Sequence, residues 1–396
     1  MNAITELPHA RHDMGELTPY SNGPALTAAI SQGSMLALRW IEGSEAHFPL
    51  IWLRDHCACE KCRHPQTHER LYRVIDDPML ANGQVPVPTV SIDEGTLTLN
   101  WRDGHESRFD SVWLYQRRPG ANAKPFSVPQ ARAWRENFMP ERIDHADFVA
   151  ADDGQRHWLE ALLRDGLVLL DNGPTELDEV IRVAESIGPL RATNFGARFN
   201  VISKPNPNNA AYTAIELELH TDLPNWRNPP DIQLLYCLKN DAEGGASVFA
   251  DGFAVAEAMR EETPEYFAIL AETPIDFRFQ DETHDIAVRA PIIDVNDHGR
   301  LREIRFNNWI RDSLDVDPEH VEAWYAAYQA FWARLRAARF RADFSLVPGQ
   351  MIAFNNRRVL HGRGEFDPNT GKRHLQGCYL DYDMIESKLQ VLGRAK

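Results

Sequence analysis

The sequence predicts a β-rich α+β protein in which a jelly-roll domain follows a small β-rich domain. Three observations carry this prediction. Many short apolar runs of strand length are separated by only a few helical segments. Neither GxGxxG nor GxxxxGKS/T, the glycine-rich motifs of nucleotide-binding parallel sheets, occurs in the chain. The length of 396 residues exceeds one average domain, and a hydrophobic content of 43% is enough to bury a sizeable core.

The N-terminal part of the chain has strand-length runs joined by turns. Residues 34–54 form two apolar runs around a glycine-containing turn, and residues 87–116 form three more. The stretch 117–130 is rich in proline, glycine and lysine and lacks an apolar period, which is typical of a linker. The sequence therefore predicts an N-terminal domain with its linker over residues 1–125 and a second domain over residues 126–396.

The second domain combines helices with buried strands. A helix is predicted over 155–164, a buried strand over 166–170, and a capping box of Thr175 and Asp178 before a helix that ends at Ser186. Further strands are expected at 232–238, at 247–252 and around REIRFNN, MIAFNN and HLQGCYLDYD, with a helix near 253–271. The longest helix is predicted over 318–338, with a buried face of Val321, Trp324, Tyr325, Tyr328, Phe331 and Leu335.

The charge balance limits the classes of partner that the protein can bind. A formal charge of −16 and a pI near 5.4 argue against a broad surface for nucleic acid or anionic membrane. No apolar run reaches the roughly 20 residues of a spanning helix, and the first residues lack the apolar core of a signal peptide. We therefore expect a cytoplasmic protein whose partner is a small molecule or a local cationic ligand.

The five cysteines predict a metal site rather than a disulfide framework. Cys57, Cys59 and Cys62 lie within six residues, a spacing typical of a structural zinc knuckle that needs a fourth ligand. Cys237 and Cys378 stand alone on predicted strands, where buried free thiols are expected. Spacing leaves the fourth ligand open among His56, His64, His68 and His105.

The triplet His220-Thr221-Asp222 indicates a second metal site. On an extended segment, residues i and i+2 point to the same side, so the imidazole and the carboxylate can bind one ion. His361, after the apolar run MIAFNNRRVL, is a third ligand candidate. Two histidines and one carboxylate form the facial triad of non-heme Fe(II) oxygenases, although unrelated histidines would produce the same letters.

Two further residues fit an acidic cosubstrate. Arg373, twelve residues after His361, can bind a carboxylate through two parallel hydrogen bonds, as the far carboxyl group of a 2-oxo diacid requires. The hydroxyl of Ser247 can support the same carboxylate. A surface ion pair is the alternative reading of an arginine at a strand start.

Taken together, the stretches WLRDHCACEKC, NNAAYT, HTDLPNWRNPPDIQLLYCL, GGASVFADGF, IRFNNWIRD and HGRGEFDPNTGKRHLQGCYLD identify a family. The chain resembles the Fe(II)- and 2-oxoglutarate-dependent dioxygenases of the taurine-dioxygenase-like superfamily, and within it the γ-butyrobetaine dioxygenase branch, over nearly its whole length. The resemblance implies a distorted double-stranded β-helix, O₂ as cosubstrate, ascorbate as a reductant and a homodimer. It implies iron at His220, Asp222 and His361, 2-oxoglutarate at Arg373 and Ser247, and zinc with His105 as the fourth ligand.

The resemblance also implies a small trimethylammonium acid as substrate, most closely γ-butyrobetaine, which would be hydroxylated to L-carnitine. Aromatic faces bind such a cation, and matching positions place four aromatic residues around it and three polar residues at the acid end. The aromatic residues are Phe195, Phe199, Tyr212 and Tyr379, and the polar residues are Asn209, Asn307 and Arg311.

Other substrates remain open at this stage. Leu223 stands where animal members of the branch have tyrosine, and Arg198, Arg227 and Arg311 lie nearby, which would suit 2-(trimethylamino)ethylphosphonate. N6-trimethyllysine is a third candidate, and a non-catalytic binding protein on the same fold is the alternative outside enzymes.

Overall fold

The computed structural model describes residues 6–7, 13–16, 23–80, 85–120, 128–202 and 214–394. The chain divides into two compact units, residues 1–127 and residues 128–395. None of the described helices is both long and apolar enough to cross a membrane.

The first unit contains two three-stranded antiparallel sheets. Its strands and helices are β1 Glu6–Leu7, β2 Gly23–Pro24, β3 Leu26–Gln32, β4 Met35–Trp40, β5 Glu45–Pro49, α1 Leu50–Asp55, β6 Thr89–Asp93, β7 Thr96–Asn100, β8 Glu106–Asp110 and α2 Ser111–Arg117, with 3₁₀ turns at Val74–Asp76 and Pro78–Leu80. The sheets have the orders β3-β4-β5 and β6-β7-β8, and β1 pairs with β2. One apolar core that includes Trp40, Phe48, Leu97 and Phe109 joins the two sheets.

Helix α2 corrects the prediction that residues 87–116 consist only of strand-length runs and turns, because residues 111–116 are helical. Strand β8 ends at Asp110, whose carboxylate accepts hydrogen bonds from the backbone N–H groups of Val112 and Trp113. An aspartate in this N-cap position satisfies the free donors of a first helical turn, so it starts a helix despite the strand-forming residues that follow.

The second unit is a sandwich of two sheets with flanking helices. Its elements are β9 Glu141–Asp144, α3 His145–Ala150, α4 Asp152–Asp165, β10 Leu167–Asp171, α5 Glu179–Ile187, β11 Arg198–Ile202, β12 Leu217–His220, β13 Ile232–Asn240, β14 Glu243–Gly244, β15 Ser247–Asp251, α6 Gly252–Glu262, α7 Pro264–Glu272, β16 Ile275–Gln280, β17 Asp285–Ala290, β18 Ile293–Val295, β19 Leu301–Ile304, α8 Val321–Arg336, β20 Arg341–Phe344, β21 Met351–Asn355, β22 Val359–Arg363, β23 Phe366–Asp367, β24 Arg373–Leu380 and α9 Tyr382–Arg394, with 3₁₀ turns at Pro318–His320 and Ala338–Phe340.

The larger sheet has the order β11-β24-β13-β21-β10-β9 and the smaller one β12-β22-β15-β20. Only the β9–β10 pair within these two sheets is parallel. The sheets face each other, because Phe249 on β15 meets Phe354 on β21 with ring centroids 5.5 Å apart, inside a buried cluster that also holds Leu169 and Ile352. This arrangement belongs to the jelly-roll class.

A second core lies between α6, α7, α8 and the hairpin strands β16–β19. Helix α8 spans Val321–Arg336 and buries Trp324, Tyr328, Phe331 and Leu335, as its periodicity predicts. Tyr325 departs from that prediction: it remains 38% exposed, because it stands at the edge of the buried stripe.

The predicted capping box before α5 is wrong. Asp178 adopts a left-handed conformation with φ 67° and makes no side-chain cap. Its carboxylate accepts a hydrogen bond from Gln376 at 3.0 Å and pairs with Arg198, so these tertiary contacts replace the local one.

Arg358 connects several parts of the second unit. It is 2% exposed and donates to both carboxylate oxygens of the fully buried Asp251, at 3.1 and 2.8 Å. The same guanidinium donates to the backbone carbonyls of Arg132 and Arg164. Four donated hydrogen bonds thus compensate a charge that would otherwise be costly to bury.

Candidate metal centre and active-site cavity

The two candidate iron-binding histidines lie opposite each other on neighbouring antiparallel strands. His220 at the end of β12 pairs in register with His361 on β22, and their ring centroids are 4.3 Å apart. Asp222 follows β12, with Oδ1 3.5 Å from His220 Nε2 and Oδ2 3.8 Å from His361 Nε2. One ligand atom from each residue lies within 4.8 Å of the other two, so the three side chains can bind one ion together.

Backbone contacts fix the segment that carries Asp222. Thr221 donates from its N–H to the carbonyl of Phe306 at 2.7 Å, and its hydroxyl accepts from the N–H of Phe306 at 3.1 Å. Beyond Asp222, the buried Leu223 is held at φ 54°, a left-handed conformation that a leucine adopts at an energetic cost. The guanidinium of Arg305 then binds the carbonyls of the next loop, including that of Pro224 at 2.9 Å.

The three side chains of the triad have the protonation states that a metal cation requires of its ligands. The Nδ1–H of His220 donates a hydrogen bond to the carbonyl of Glu218 at 2.8 Å. In this tautomer the lone pair of Nε2 is available to a metal. Burial, and the neighbouring His220, lower the pKa of His361 to about 3 and keep that imidazole neutral. Although burial opposes it, the two imidazoles and a hydrogen bond from Tyr379 hold the pKa of Asp222 well below its usual range.

Tyr379 on β24 donates its hydroxyl hydrogen to Asp222 Oδ2 at 2.7 Å. From the sequence, we expect this residue to make only an aromatic contact with substrate. Its ring does line the cavity and packs on Phe199 with a centroid distance of 5.2 Å. The hydroxyl contact depends on the meeting of the two sheets, which no local sequence signal reveals.

The triad opens into a cavity of about 390 Å³. Arg373, at the start of β24, lines this cavity, and its buried Nε has no hydrogen-bond partner among the described residues. Burial lowers the pKa of this guanidinium, since its charge is poorly compensated by protein groups. A carboxylate ligand would supply the missing partner, so the site fits the diacid inferred from the sequence.

Ser247 and a second arginine lie at the same end. Ser247 on β15 is 8% exposed and pairs in register with Arg363 on β22, and both line the cavity. Burial and the nearby Arg373 lower the pKa of Arg363 to about 10. Arg363 was missed in the sequence analysis, although its position two residues after His361 on a strand was a signal that the two share a face.

Aromatic side chains form much of the cavity wall. Phe195, Phe199 and Tyr379 all line it, as predicted, and Phe279 joins them by meeting Phe195 edge-on at 5.6 Å. Trp309 was not predicted: it is 45% exposed, lines the cavity and meets the ring of His220 edge-on at 5.1 Å.

Besides Arg373, the wall contains a buried amide that lacks a protein partner among the described residues. Gln233 on β13 is 2% exposed and lies opposite Tyr379 in the sheet register. Its Oε1 has no hydrogen-bond partner in the part of the chain that the structure describes. A water molecule or the N–H or O–H group of a bound ligand would supply the missing donor.

The predicted acid-binding residues divide into three cases. Asn307 lines the cavity and donates to the carbonyl of Thr221 at 3.4 Å. Asn209 and Tyr212 lie outside the described residues. Arg311 is a correction, because it is absent from the cavity wall: its guanidinium lies over the α8 rings of Trp324, Tyr325 and Tyr328, at 5.4 to 5.7 Å from their centroids.

The arginines that would suit a phosphonate also lie elsewhere. Arg198 pairs with Asp178, and Arg227 is exposed; neither lines the cavity.

The first unit contains the second group of side chains that could hold a metal ion. The Nε2 of His105 lies 3.3 Å from Cys57 Sγ, 3.8 Å from Cys59 Sγ and 3.5 Å from Cys62 Sγ. Zinc–sulfur and zinc–nitrogen bonds of about 2.3 and 2.0 Å place tetrahedral ligands roughly 3.5 Å apart, so the four groups fit a zinc ion.

The competing histidines are engaged elsewhere. His56 stacks on Trp52 at 3.9 Å, and the Nδ1 of His64 accepts from the backbone N–H groups of Gln66 and Thr67. His68 is not part of the cluster.

Comparisons with known proteins agree with the resemblance seen in the sequence. Residues 127–379 match the model of the taurine catabolism dioxygenase TauD, TfdA family, and residues 28–115 match that of the γ-butyrobetaine hydroxylase-like N-terminal domain. The γ-butyrobetaine dioxygenase of Pseudomonas sp. (strain AK-1) is 39% identical over 93% of this chain and 96% of that protein. The human γ-butyrobetaine dioxygenase is 31% identical over 92% of this chain and 96% of that protein.

The rat mitochondrial trimethyllysine dioxygenase is 30% identical over 87% of this chain and 83% of that protein. The family model matches most of the second unit, and the relatives align with nearly the whole chain. The chain belongs to the TauD, TfdA family of dioxygenases, and it carries the N-terminal domain of the γ-butyrobetaine hydroxylase-like proteins.

Proposed function

We propose that this protein is an Fe(II)- and 2-oxoglutarate-dependent dioxygenase that hydroxylates γ-butyrobetaine to L-carnitine, with release of succinate and CO₂. The observation that carries the proposal is the convergence, in one cavity, of the His220, Asp222 and His361 triad with the unpartnered Nε of Arg373 and an aromatic wall.

Each part of the cavity has a role in this proposal. His220, Asp222 and His361 hold the iron, and Arg373 with Ser247 binds the far carboxylate of 2-oxoglutarate. When bound, iron with its 2-oxo acid supplies the oxidising chemistry that an unactivated C–H bond requires. The protein binds and orients the substrate and excludes water, while the neutral His361 and the ionised Asp222 keep the ligand set ready for a metal.

The cavity wall supports a trimethylammonium substrate. Such a group offers no hydrogen-bond donor, and the faces of Phe195, Phe199 and Tyr379 can attract it by cation–π contact. Asn307 is the described residue that we assign to the acid end. γ-Butyrobetaine leads because the bacterial enzyme named for it is 39% identical, whereas the trimethyllysine enzyme is 30% identical.

The proposal extends to the first unit and to the assembly. We assign a structural zinc ion to Cys57, Cys59, Cys62 and His105, where it would stabilise a small domain. The catalytic unit is assigned a distorted double-stranded β-helix. We also propose a homodimer, which sedimentation would test. We propose a cytoplasmic location as well, which is supported by five cysteines that form no disulfide.

Anaerobic reconstitution tests the reaction class. Wild-type protein with Fe(II) and 2-oxoglutarate should develop the weak visible charge-transfer band of the chelate. His220→Ala should abolish the band, whereas His320→Ala, at a histidine with a 66% exposed side chain, should retain it. Absence of the band in the wild type would refute the proposed activity.

A separate experiment tests the substrate. Purified protein is incubated with γ-butyrobetaine, 2-(trimethylamino)ethylphosphonate or N6-trimethyllysine, and succinate and hydroxylated product are measured together. Matched yields of the two products and fastest turnover with γ-butyrobetaine are expected. Faster coupled turnover of either competitor would replace γ-butyrobetaine as the substrate.

A further inference from the structure

We propose that the Tyr379 hydroxyl is a positioning group for the metal site, which holds the Asp222 carboxylate through Oδ2 and opposes binding of one ion by both carboxylate oxygens. This inference rests on the proposed function. It is separate from the contact that the Tyr379 ring would make with a substrate cation.

The geometry distinguishes the two carboxylate oxygens of Asp222. Oδ2 accepts the hydroxyl hydrogen of Tyr379 at 2.7 Å and lies 3.8 Å from His361 Nε2, while Oδ1 lies 3.5 Å from His220 Nε2. A hydroxyl donor to one oxygen of an ionised carboxylate forms a short, charge-assisted hydrogen bond. This bond uses one lone pair of Oδ2 and makes that oxygen a weaker second ligand than Oδ1.

Tyr379 has little freedom to leave this contact. The residue is 3% exposed and lies on β24, which is paired with β13 on one side and β11 on the other. Its ring packs on Phe199 with a centroid distance of 5.2 Å. The donor is therefore held in place by the sheet.

The number of coordination positions gives this contact a functional consequence. If His220, His361 and one oxygen of Asp222 held a six-coordinate iron, three positions would stay open for a chelating 2-oxo acid and dioxygen. Binding through both oxygens of Asp222 would take one of these positions. The hydroxyl of Tyr379 opposes this binding mode and so keeps the position available.

Tyr379→Phe removes the hydroxyl and keeps the ring. The measurement is the anaerobic dissociation constant of nitric oxide, a substitute for dioxygen, from the protein loaded with Fe(II), 2-oxoglutarate and saturating γ-butyrobetaine. Groups that hydrogen-bond to metal ligands typically change metal-site properties by about 10–100-fold, and we expect weakening in this range. The charge-transfer band and a thermal unfolding scan establish that the variant is folded and loaded.

Tyr325→Phe is the matched control, because it removes a tyrosine hydroxyl at a residue that is 38% exposed and is not among the residues that line the cavity. It should leave the dissociation constant of nitric oxide within about twofold of the wild type. A Tyr379→Phe protein with a normal chelate band and unchanged nitric oxide affinity would overturn this inference alone. A wild-type protein without the band would overturn the proposed function instead.

Discussion

The side chain of Asn356 forms two hydrogen bonds with the backbone of Asp222. Its Oδ1 accepts the N–H of Asp222 at 2.7 Å, and its Nδ2 donates to the carbonyl of Asp222 at 3.0 Å. The same Nδ2 donates to the carbonyl of Pro230 at 2.9 Å. Asn356 is 1% exposed, so water cannot replace these contacts, and the peptide groups on both sides of the carboxylate ligand are held by one amide.

We expect Asn356→Leu to weaken both the fold and the metal site. Leucine fills a similar volume but leaves the buried N–H and C=O of Asp222 without partners, which costs about 1–3 kcal/mol each in the free energy of unfolding. Iron affinity should fall about tenfold or more, because the ligand loses its fixed position. Urea unfolding and iron titration measure the two effects. Asn369→Leu, at an exposed turn, should change neither quantity; equal effects in both variants would contradict the prediction.

Arg373→Lys should raise the KM for 2-oxoglutarate by about 10–100-fold. Lysine keeps the charge but loses the planar pair of donors that matches a carboxylate. Initial rates at varied 2-oxoglutarate give the constant, and Arg156→Lys, at an exposed ion pair, is the control. A KM within twofold of the wild-type value would remove Arg373 from the cosubstrate site.

Zinc removal should expose three of the five thiols to alkylation. Burial raises the pKa of Cys237 to about 11 and that of Cys378 to about 12, so at pH 8 almost no thiolate is present at either residue. Their reactivity should appear only as the pH rises toward these values or when the protein unfolds.

The measurement is the number of labelled cysteines at pH 8, by mass spectrometry, before and after treatment with a strong chelator. None should be labelled before treatment, and Cys57, Cys59 and Cys62 should be labelled after it. Rapid labelling of these three before chelation, or labelling of Cys237 in folded protein, would contradict the prediction.

Arg311→Met should affect stability rather than substrate binding. Its guanidinium lies over three aromatic rings of α8, a contact worth about 1–2 kcal/mol when desolvated. The free energy of unfolding should fall by that amount, with the KM for γ-butyrobetaine within twofold of the wild type. Trp309→Ala should instead raise the KM for γ-butyrobetaine and leave the free energy of unfolding nearly unchanged, because Trp309 lines the cavity and is 45% exposed. A larger KM change in Arg311→Met would return Arg311 to the substrate site.

Arg358→Met should be strongly destabilising. It leaves the fully buried Asp251 without its cation, and breaking a buried pair in this way typically costs about 3–5 kcal/mol in the free energy of unfolding. Arg156→Met breaks an exposed pair with Asp153 and should cost no more than about 1 kcal/mol. Denaturant unfolding compares the two variants. Similar losses in the free energy of unfolding would contradict the stabilising role of the buried Arg358–Asp251 pair.

The two clusters of candidate metal ligands could be identified from the sequence because their signals are local or chemically rare. Cys57, Cys59 and Cys62 fall within six residues, and His220 and Asp222 are two residues apart on extended backbone. His361 needed the family resemblance as well, since the register that places it opposite His220 joins segments 141 positions apart (361 − 220).

The supporting residues could not be predicted, because their roles depend on how distant strands meet. Asn356 reaches Asp222 from the β21–β22 turn, and Tyr379 reaches it from the opposite sheet. Arg311 shows the converse: it lies only four residues after Asn307, yet its side chain packs on α8 instead of lining the cavity. Proximity in sequence therefore identified the segment but not the direction of each side chain.

The left-handed backbone at Leu223 limits how the substrate range of this enzyme can be redesigned. Because φ is 54° there, valine, isoleucine and threonine would be penalised by their branched Cβ atoms, however well their side chains filled the cavity. Glycine and asparagine adopt this conformation most readily, so mutant libraries at position 223 should be weighted toward them. Larger changes of shape are better introduced at Phe195 or Phe199, which line the same cavity without a positive φ.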